Sequence, residues 1–516
     1  MRARVWWVVG SLASGWLYGV AFPPTAWWWL AWVAFVPVIA IARGGGPKRA
    51  GAAGALLAIA ATGTTVDWLP RALAGFYGQP IAVGTGLFLA ILVLMVVPPF
   101  SIFGLVVWLT ASAPAALRPL LVAASWTATE LWRANAFTGN PWVLVGYSQV
   151  HTALVPQIAD LTGVYGVTFV VMAVNAAVAE LLLAAQARIP RRDALAAVRI
   201  AATTLALALG YGGMAVQRQG ALATPSRAVA IVQGNLDLGV QWREEFYGRN
   251  LEDYLRLTRT ALEARSTLLV LWPESAMTFF LDGQRAYQAA IGATLAPFAS
   301  ELVAGGPYSV VDDRTRQYRN SAFVLEPSGA IRRRYDKEVL LPFAEYFPFP
   351  SIDFMRRSFG RVREFVPGPS APAPLVTAAG RAGILICNEA MFPEVARARV
   401  RAGAEVLLVL ANDSWVGDEK FARIAFDMAV MRAIETRRFA LRASTAGPSA
   451  VITPTGAVPT LAPYGVAATV AGDVAPRALM TPYTRFGDVF AYGCAAVTAL
   501  ATLLGFRARR ARRQAV

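Results

Sequence analysis

Long apolar runs fill the first 215 residues, and polar residues interrupt them only in short groups. A helix needs roughly 20 mainly apolar residues to cross the hydrocarbon core of a bilayer. The pattern predicts seven such helices, near 5–22, 26–43, 51–68, 81–111, 117–133, 160–187 and 197–215. The fourth run is long enough for two spans and contains Pro98-Pro99, so charge decides the count. Arg2 and Arg4, then Arg43, Lys48 and Arg49, then Arg118, then Arg188, Arg191 and Arg192 flank the runs. With 81–111 as one bent or tilted span, all of these clusters lie on one side, which the positive-inside rule makes the cytoplasm. Splitting it sends the 188–192 cluster across. A further apolar run, 489–506, precedes Arg507, Arg509, Arg510, Arg512 and Arg513, a basic anchor that returns the chain to the cytoplasm. The first run sits within a series of spans and lacks a clear cleavage site, so it reads as a span and not as a signal peptide.

From about residue 218 the pattern changes. Short apolar runs with strand character occupy 228–232, 267–272, 302–305, 321–325, 382–387 and 406–411. Helical periodicity covers 247–264, 284–298, 392–402 and 421–438. Strands alternating with helices predict an α/β domain of mixed sheets covered by helices. The expected division is therefore a membrane domain over 1–217, a soluble catalytic domain over 218–486, and a transmembrane helix with a basic tail over 487–516.

Composition narrows the function. A chain of 516 residues that is 56% hydrophobic is too apolar for an ordinary soluble enzyme. The net charge of +16 lies largely beside apolar runs, where it encodes topology and is no signal of nucleic-acid binding. The chain has one histidine, His151, and two cysteines. Metal catalysis through His and Cys clusters is not expected, and no Gly-rich phosphate loop is present, so no cofactor is expected either. Cys494 lies in the last apolar run and reads as a small core residue.

Cys387 ends the apolar run Gly383-Ile384-Leu385-Ile386-Cys387. Alone, it reads as well as a buried small hydrophobe. Pro393 marks a helix start just beyond, and a strand-to-helix turn favours an exposed, reactive thiolate. Two other segments place ionisable groups at strand ends: Leu271-Trp272-Pro273-Glu274-Ser275 and Arg334-Tyr335-Asp336-Lys337-Glu338. Glu274 alone reads as a solvated loop residue and Lys337 as one more charge in a basic run. Together, a thiolate, a carboxylate base and a fixed ammonium are what acyl transfer through a thioester requires.

The order Glu, Lys, Cys and these flanks resemble the nitrilase, or carbon–nitrogen hydrolase, superfamily. Other segments narrow the resemblance to its membrane branch, the apolipoprotein N-acyltransferases: Val232-Gln233-Gly234-Asn235 with Trp242, Asn412-Asp413-Ser414-Trp415, Met431-Arg432-Ala433-Ile434-Glu435, Gly447-Pro448-Ser449, Phe22-Pro23-Pro24, Gly139-Asn140-Pro141-Trp142 and Gly146-Tyr147-Ser148-Gln149. The resemblance implies an αββα sandwich inserted between the seven-helix membrane domain and the last helix. It implies Glu274 as general base, Lys337 as oxyanion partner and Cys387 as nucleophile, supported by Glu345 and Glu389. Implied contacts to substrate are Trp242, Trp415 and Asn388, where the family usually has an aromatic residue. Met277 and Phe279, just past Glu274, read as pocket lining. The apolar and basic segment from Tyr346, Phe347 and Phe349 to Arg356-Arg357 reads as a loop dipping into the lipid interface, or as packing against the domain itself. Glu130 and Arg133 read as an intramembrane pair or as a lipid-headgroup contact.

The implied reaction moves a fatty acyl chain from a phospholipid, typically phosphatidylethanolamine, to a lipoprotein whose N-terminal cysteine carries diacylglycerol. The implied location is the bacterial inner membrane, with the catalytic domain periplasmic, both termini cytoplasmic and the protein a monomer. A membrane-tethered amidase and a non-enzymatic scaffold with a relict fold are the alternatives.

Overall fold

The computed structural model describes residues 2–137, 139–220, 225–236, 244–312, 315–347, 364–370 and 372–514. The chain forms two compact units. One comprises residues 1–71, 80–218 and 486–516; the other comprises 72–79 and 219–485.

The first unit is helical. Its helices are Arg2–Val20, Val36–Gly44 (after a short 3-10 turn, Trp28–Trp32), Pro47–Thr65, Ile81–Ile91, Val97–Leu109, Arg118–Asn135, Val164–Ala185, Arg191–Gly220 and Val489–Gln514. A π-turn, Leu92–Val96, carries the helix from Ile91 into Val97–Leu109. It leads into Pro98 and Pro99 at the start of the next stretch, where missing N–H groups are tolerated. The stretch Ile81–Ser112 thus runs on as one helix, and with Val164–Ala185, Arg191–Gly220 and Val489–Ala511 it is long and apolar enough to cross a membrane. Pro47–Thr65 and Leu69–Tyr77 pass that test only together, bent by 59°. These are the helices of a membrane protein.

Close approach of backbones joins helix Pro47–Thr65 to helix Val97–Leu109. A Cβ on Gly54 would lie 2.0 Å from the Phe100 carbonyl oxygen, and one on Gly104 would lie 2.1 Å from that of Ala50. Small residues are how helices meet without a hydrophobic drive between them. Glu130 and Arg133 take different partners. The Glu130 carboxylate accepts from Trp126 Nε1 at 3.0 Å, Val145 N at 2.7 Å and Thr168 Oγ1 at 2.7 Å. Arg133 donates to the Trp142 carbonyl. Both side chains thereby fix the 142–149 segment.

The second unit contains two six-stranded sheets among its described residues. The first sheet is ordered β12-β1-β2-β3-β4-β5, with β1 Arg227–Gln233, β2 Leu269–Leu271, β3 Glu301–Asp312, β4 Thr315–Leu325, β5 Ile331–Asp336 and β12 Ala468–Val474. The second is ordered β11-β10-β9-β8-β7-β6, with β6 Leu375–Thr377, β7 Gly380–Ile386, β8 Val406–Ala411, β9 Phe439–Ser444, β10 Ser449–Ile452 and β11 Thr460–Ala462. Each sheet has three parallel strands, β1-β2-β3 and β7-β8-β9, flanked by antiparallel ones.

Alternation along the strands builds two apolar layers. Val229, Ile231, Leu269 and Leu271 face Ile384, Ile386, Leu408 and Leu441 between the sheets. Val232, Val270, Trp272 and Leu302 point the other way, onto helices Glu244–Ala264 and Arg285–Leu295. Helices Pro393–Arg401 and Glu419–Thr436 pack on the second sheet. Parallel strands send their carboxyl ends the same way, so the loops after β2, β7 and β8 gather at one edge of the sandwich.

Candidate active site

Three strand ends deliver the chemistry. Glu274 follows β2, Lys337 follows β5, and Cys387 follows β7 as the first residue of a 3-10 turn, Cys387–Met391. Two of these junctions are strained: Cys387 itself sits at φ 54° and Ser275, next to Glu274, at φ 59°. Left-handed backbone at non-glycine residues costs about 1 kcal/mol or more and concentrates at functional turns.

The Cys387 thiol and the Glu274 carboxylate stand close enough to act on each other's proton affinity. Lys337 Nζ lies 2.8 Å from Glu345 Oε2 and 3.7 Å from Glu274 Oε1. Asn320 Nδ2 donates to both glutamates, at 2.7 Å each. The Lys337 backbone N–H donates to the Asn320 carbonyl at 2.9 Å, so one asparagine ties lysine and both acids together. Lys337 is 1% exposed and Glu274 6%. Cys387 remains partly exposed.

Burial and charge set the proton affinities. Burial raises the Glu274 pKa, and the nearby Glu345 charge raises it further, against the opposing pull of Lys337. Burial works against the Lys337 charge, but Glu345 and Glu274 outweigh it and the ammonium is held. Burial and Glu274 both push the Cys387 thiol up. Burial thus favours the neutral thiol and raises the proton affinity of the carboxylate beside it.

Glu389 joins the Cys387 turn to the segment after Lys337. It is fully buried, and its Oε2 accepts from Ile386 N at 2.7 Å, just before the cysteine. Its Oε1 accepts from Glu338 N at 2.8 Å, Val339 N at 3.0 Å and the Tyr335 hydroxyl at 2.7 Å. Arg399 donates to that hydroxyl at 2.7 Å. Asn388 is 2% exposed and donates to the Val339 carbonyl at 3.2 Å. It thus faces the segment after Lys337, where its amide fastens the same stretch that Glu389 holds.

The structure separates the remaining expected residues. Met277 and Phe279 lie in the helix-side core, and Phe279 packs on Tyr287 with centroids 4.6 Å apart. Both are buried there, at 0% and 1% exposure. Trp415 is partly exposed and stands edge-on to Phe421 at 5.9 Å. Tyr346 and Phe347 are half-buried beside Glu345. Trp242 and Phe349, with the 348–357 stretch of the apolar loop, fall outside the described residues. Asn320 has no sequence signal, being one polar residue in an alternating strand. Asp413 stands out in the sequence only as a member of a motif. It forms a buried ion pair with Arg442 at 2.6 Å and accepts from Ser444 at 2.7 Å, anchoring the Trp415 loop.

A sheet sandwich with glutamate, lysine and cysteine gathered at its strand ends defines a protein of the carbon–nitrogen hydrolase class. The family model described as carbon–nitrogen hydrolase matches residues 228–476, and that described as apolipoprotein N-acyltransferase N-terminal domain matches 14–177. The chain is 32% identical to an apolipoprotein N-acyltransferase of Geobacter metallireducens, over 96% of this chain and 95% of that protein. It is 33% identical to one from Bradyrhizobium diazoefficiens, over 77% and 75% of the two chains. Among solved structures, the C. elegans NitFhit protein superposes with a TM-score of 0.41 at 18% identity, over 52% of this chain and 66% of that one. The chain belongs to the apolipoprotein N-acyltransferase family.

Proposed function

We propose that the chain N-acylates apolipoproteins in lipoprotein maturation by a ping-pong reaction through a thioester on Cys387. Membership of the family supports the overall reaction. The observation that carries the mechanism is the constellation itself: the Lys337 ammonium 3.7 Å from Glu274 and 2.8 Å from Glu345, beside the Cys387 thiol.

Glu274 takes the Cys387 proton as sulfur attacks the sn-1 ester carbon of a phospholipid, phosphatidylethanolamine being the donor we expect. Lys337 stabilises the oxyanion. Collapse breaks the ester bond, and Glu274 returns the proton to the departing lysophospholipid oxygen. The α-amine of a diacylglyceryl-cysteine then attacks the thioester and passes its proton to Glu274. Collapse frees the sulfur, which regains that proton, and an amide remains on the lipoprotein. Glu345 holds Lys337, Glu389 holds the loops of lysine and cysteine in register, and Trp415, Tyr346 and Phe347 are the side chains expected to meet the acyl chain. No cofactor takes part.

Residues 1–217 and 487–516 form the membrane domain in this reading, with seven spans and one, and 218–486 the catalytic domain. The basic clusters then lie in the cytoplasm and the catalytic domain in the periplasm of a bacterial inner membrane, with the protein acting as a monomer. Both substrates are membrane-anchored, which explains why the catalytic fold is tethered to helices.

Intact mass of the detergent-purified protein after incubation with phosphatidylethanolamine alone tests the first half-reaction. The expected result is a fatty-acyl mass increase that hydroxylamine removes and Cys387→Ala lacks. Free fatty acid without an adduct would indicate a hydrolase, and acyl transfer retained by Cys387→Ala would end the proposal.

A further inference from the structure

Residues 72–79 pack with the catalytic unit, although the chain on either side belongs to the other unit. Among the described residues, Phe76 and Tyr77 take part in the attachment. Phe76 stands edge-on to Trp415, with centroids 5.8 Å apart. Tyr77, 8% exposed, donates its hydroxyl to the Phe343 carbonyl at 2.7 Å.

Phe343 is the tip of a tight turn. Its N–H donates to the Tyr346 carbonyl at 2.8 Å, and Glu345 N–H donates to the Leu341 carbonyl at 2.9 Å. The tip is held at φ 65°, a conformation that a phenylalanine leaves readily unless its surroundings fix it. The same turn presents the Glu345 carboxylate, which accepts from Leu341 N at 2.7 Å and reaches Lys337 and Asn320. Phe76 meanwhile reaches the second loop, the one anchored by Asp413. One short segment therefore holds both loops that border the thiol.

We propose that Tyr77 is a positioning residue for acyl transfer: its hydroxyl pins the strained turn at Phe343 and, through Glu345, sets where the Lys337 ammonium stands beside Cys387. The inference rests on the roles given above to Lys337 and Cys387. It adds a residue from the N-terminal, otherwise membrane-embedded half of the sequence to the support of the site.

The test is the pH profile of Cys387 alkylation by iodoacetamide in the full-length protein, wild type against Y77F, read by peptide mass. Glu274, Lys337, Asp413 and Glu345 are the charged groups that act on this thiol. A displaced ammonium stabilises the thiolate less, so Y77F should shift the alkylation midpoint upward. It should also slow thioester formation from phosphatidylethanolamine about tenfold, with little change in KM. The double variant Y77F/F343G should regain some of the loss, because glycine keeps a positive φ without help. A Y77F profile superposable on the wild type overturns the proposal. So does a double variant no better than Y77F, which would mean that the hydroxyl acts otherwise than by holding the turn at Phe343. A shifted alkylation profile with no thioester in either protein would leave Tyr77 in its role and remove the acyl-transfer reading instead.

Discussion

Glu274 shares a buried space with a second carboxylate and only one ammonium, and that imbalance shapes its chemistry. Its affinity for a proton is raised by burial first and by Glu345 next. The base form is therefore lost, as pH falls, at a midpoint above the ordinary glutamate value of about 4.3. Thioester formation should fall in acid with that raised midpoint, measured as initial rate against pH. Glu274→Gln, which keeps the shape and removes the base, should lower the rate about 10²–10⁴-fold and abolish the acid limb. Glu274 and Cys387 stand out in the sequence because each ends an apolar run with a distinctive flank, whereas Lys337 follows a basic run and stands out only through its resemblance to the family motif. Asn320 does not stand out: it lies within β4, and only its fold partners reveal that it bridges two acids. The family's aromatic position, Asn388 here, is buried, and its amide donates to the Val339 carbonyl.

At the scale of elements, helices and parallel strands were the readable features. Each apolar run of the first unit holds a helix, and β1, β7 and β8 lie within a residue or two of the apolar runs that signal them. The strands that carry charge were hidden. β5 reads Ile331-Arg332-Arg333-Arg334-Tyr335-Asp336, and β9 buries Arg442 in its middle, where it pairs with Asp413. Such strands lack the apolar alternation that marks a half-buried one, because they carry charges that are paired within the fold, Arg334 with Asp336 and Arg442 with Asp413. The edge strands β11 and β12 are short or rich in small and polar residues, which protects an edge and weakens its signal. Glycine spacing in the membrane helices carries its own prediction. Gly54→Val places branched carbons where the Phe100 carbonyl lies and must push the paired helices away from each other. It should destabilise the protein by about 1–3 kcal/mol, read as a lower unfolding temperature in detergent.

For the whole molecule, the decisive property is that neither unit is one stretch of sequence. The helical unit is assembled from three segments and the sheet unit from two. Helix Val489–Gln514 packs against Arg118–Asn135 and Val97–Leu109. Arg509 donates to the Trp108 carbonyl at 2.6 Å and lies over the Trp108 ring, and Phe490 meets Phe169 at 5.4 Å. Deleting residues 487–516 leaves every catalytic group in the chain, yet it should lower the yield of monodisperse protein in size-exclusion chromatography. The same interleaving fixes an order of events at the ribosome. A chain made at about 5–20 residues per second exposes residues 219–485, complete and able to pair their strands, before the helix that closes the other unit has been synthesised. Through that interval the catalytic fold matures on an unfinished scaffold, and the half made first is the last to be completed.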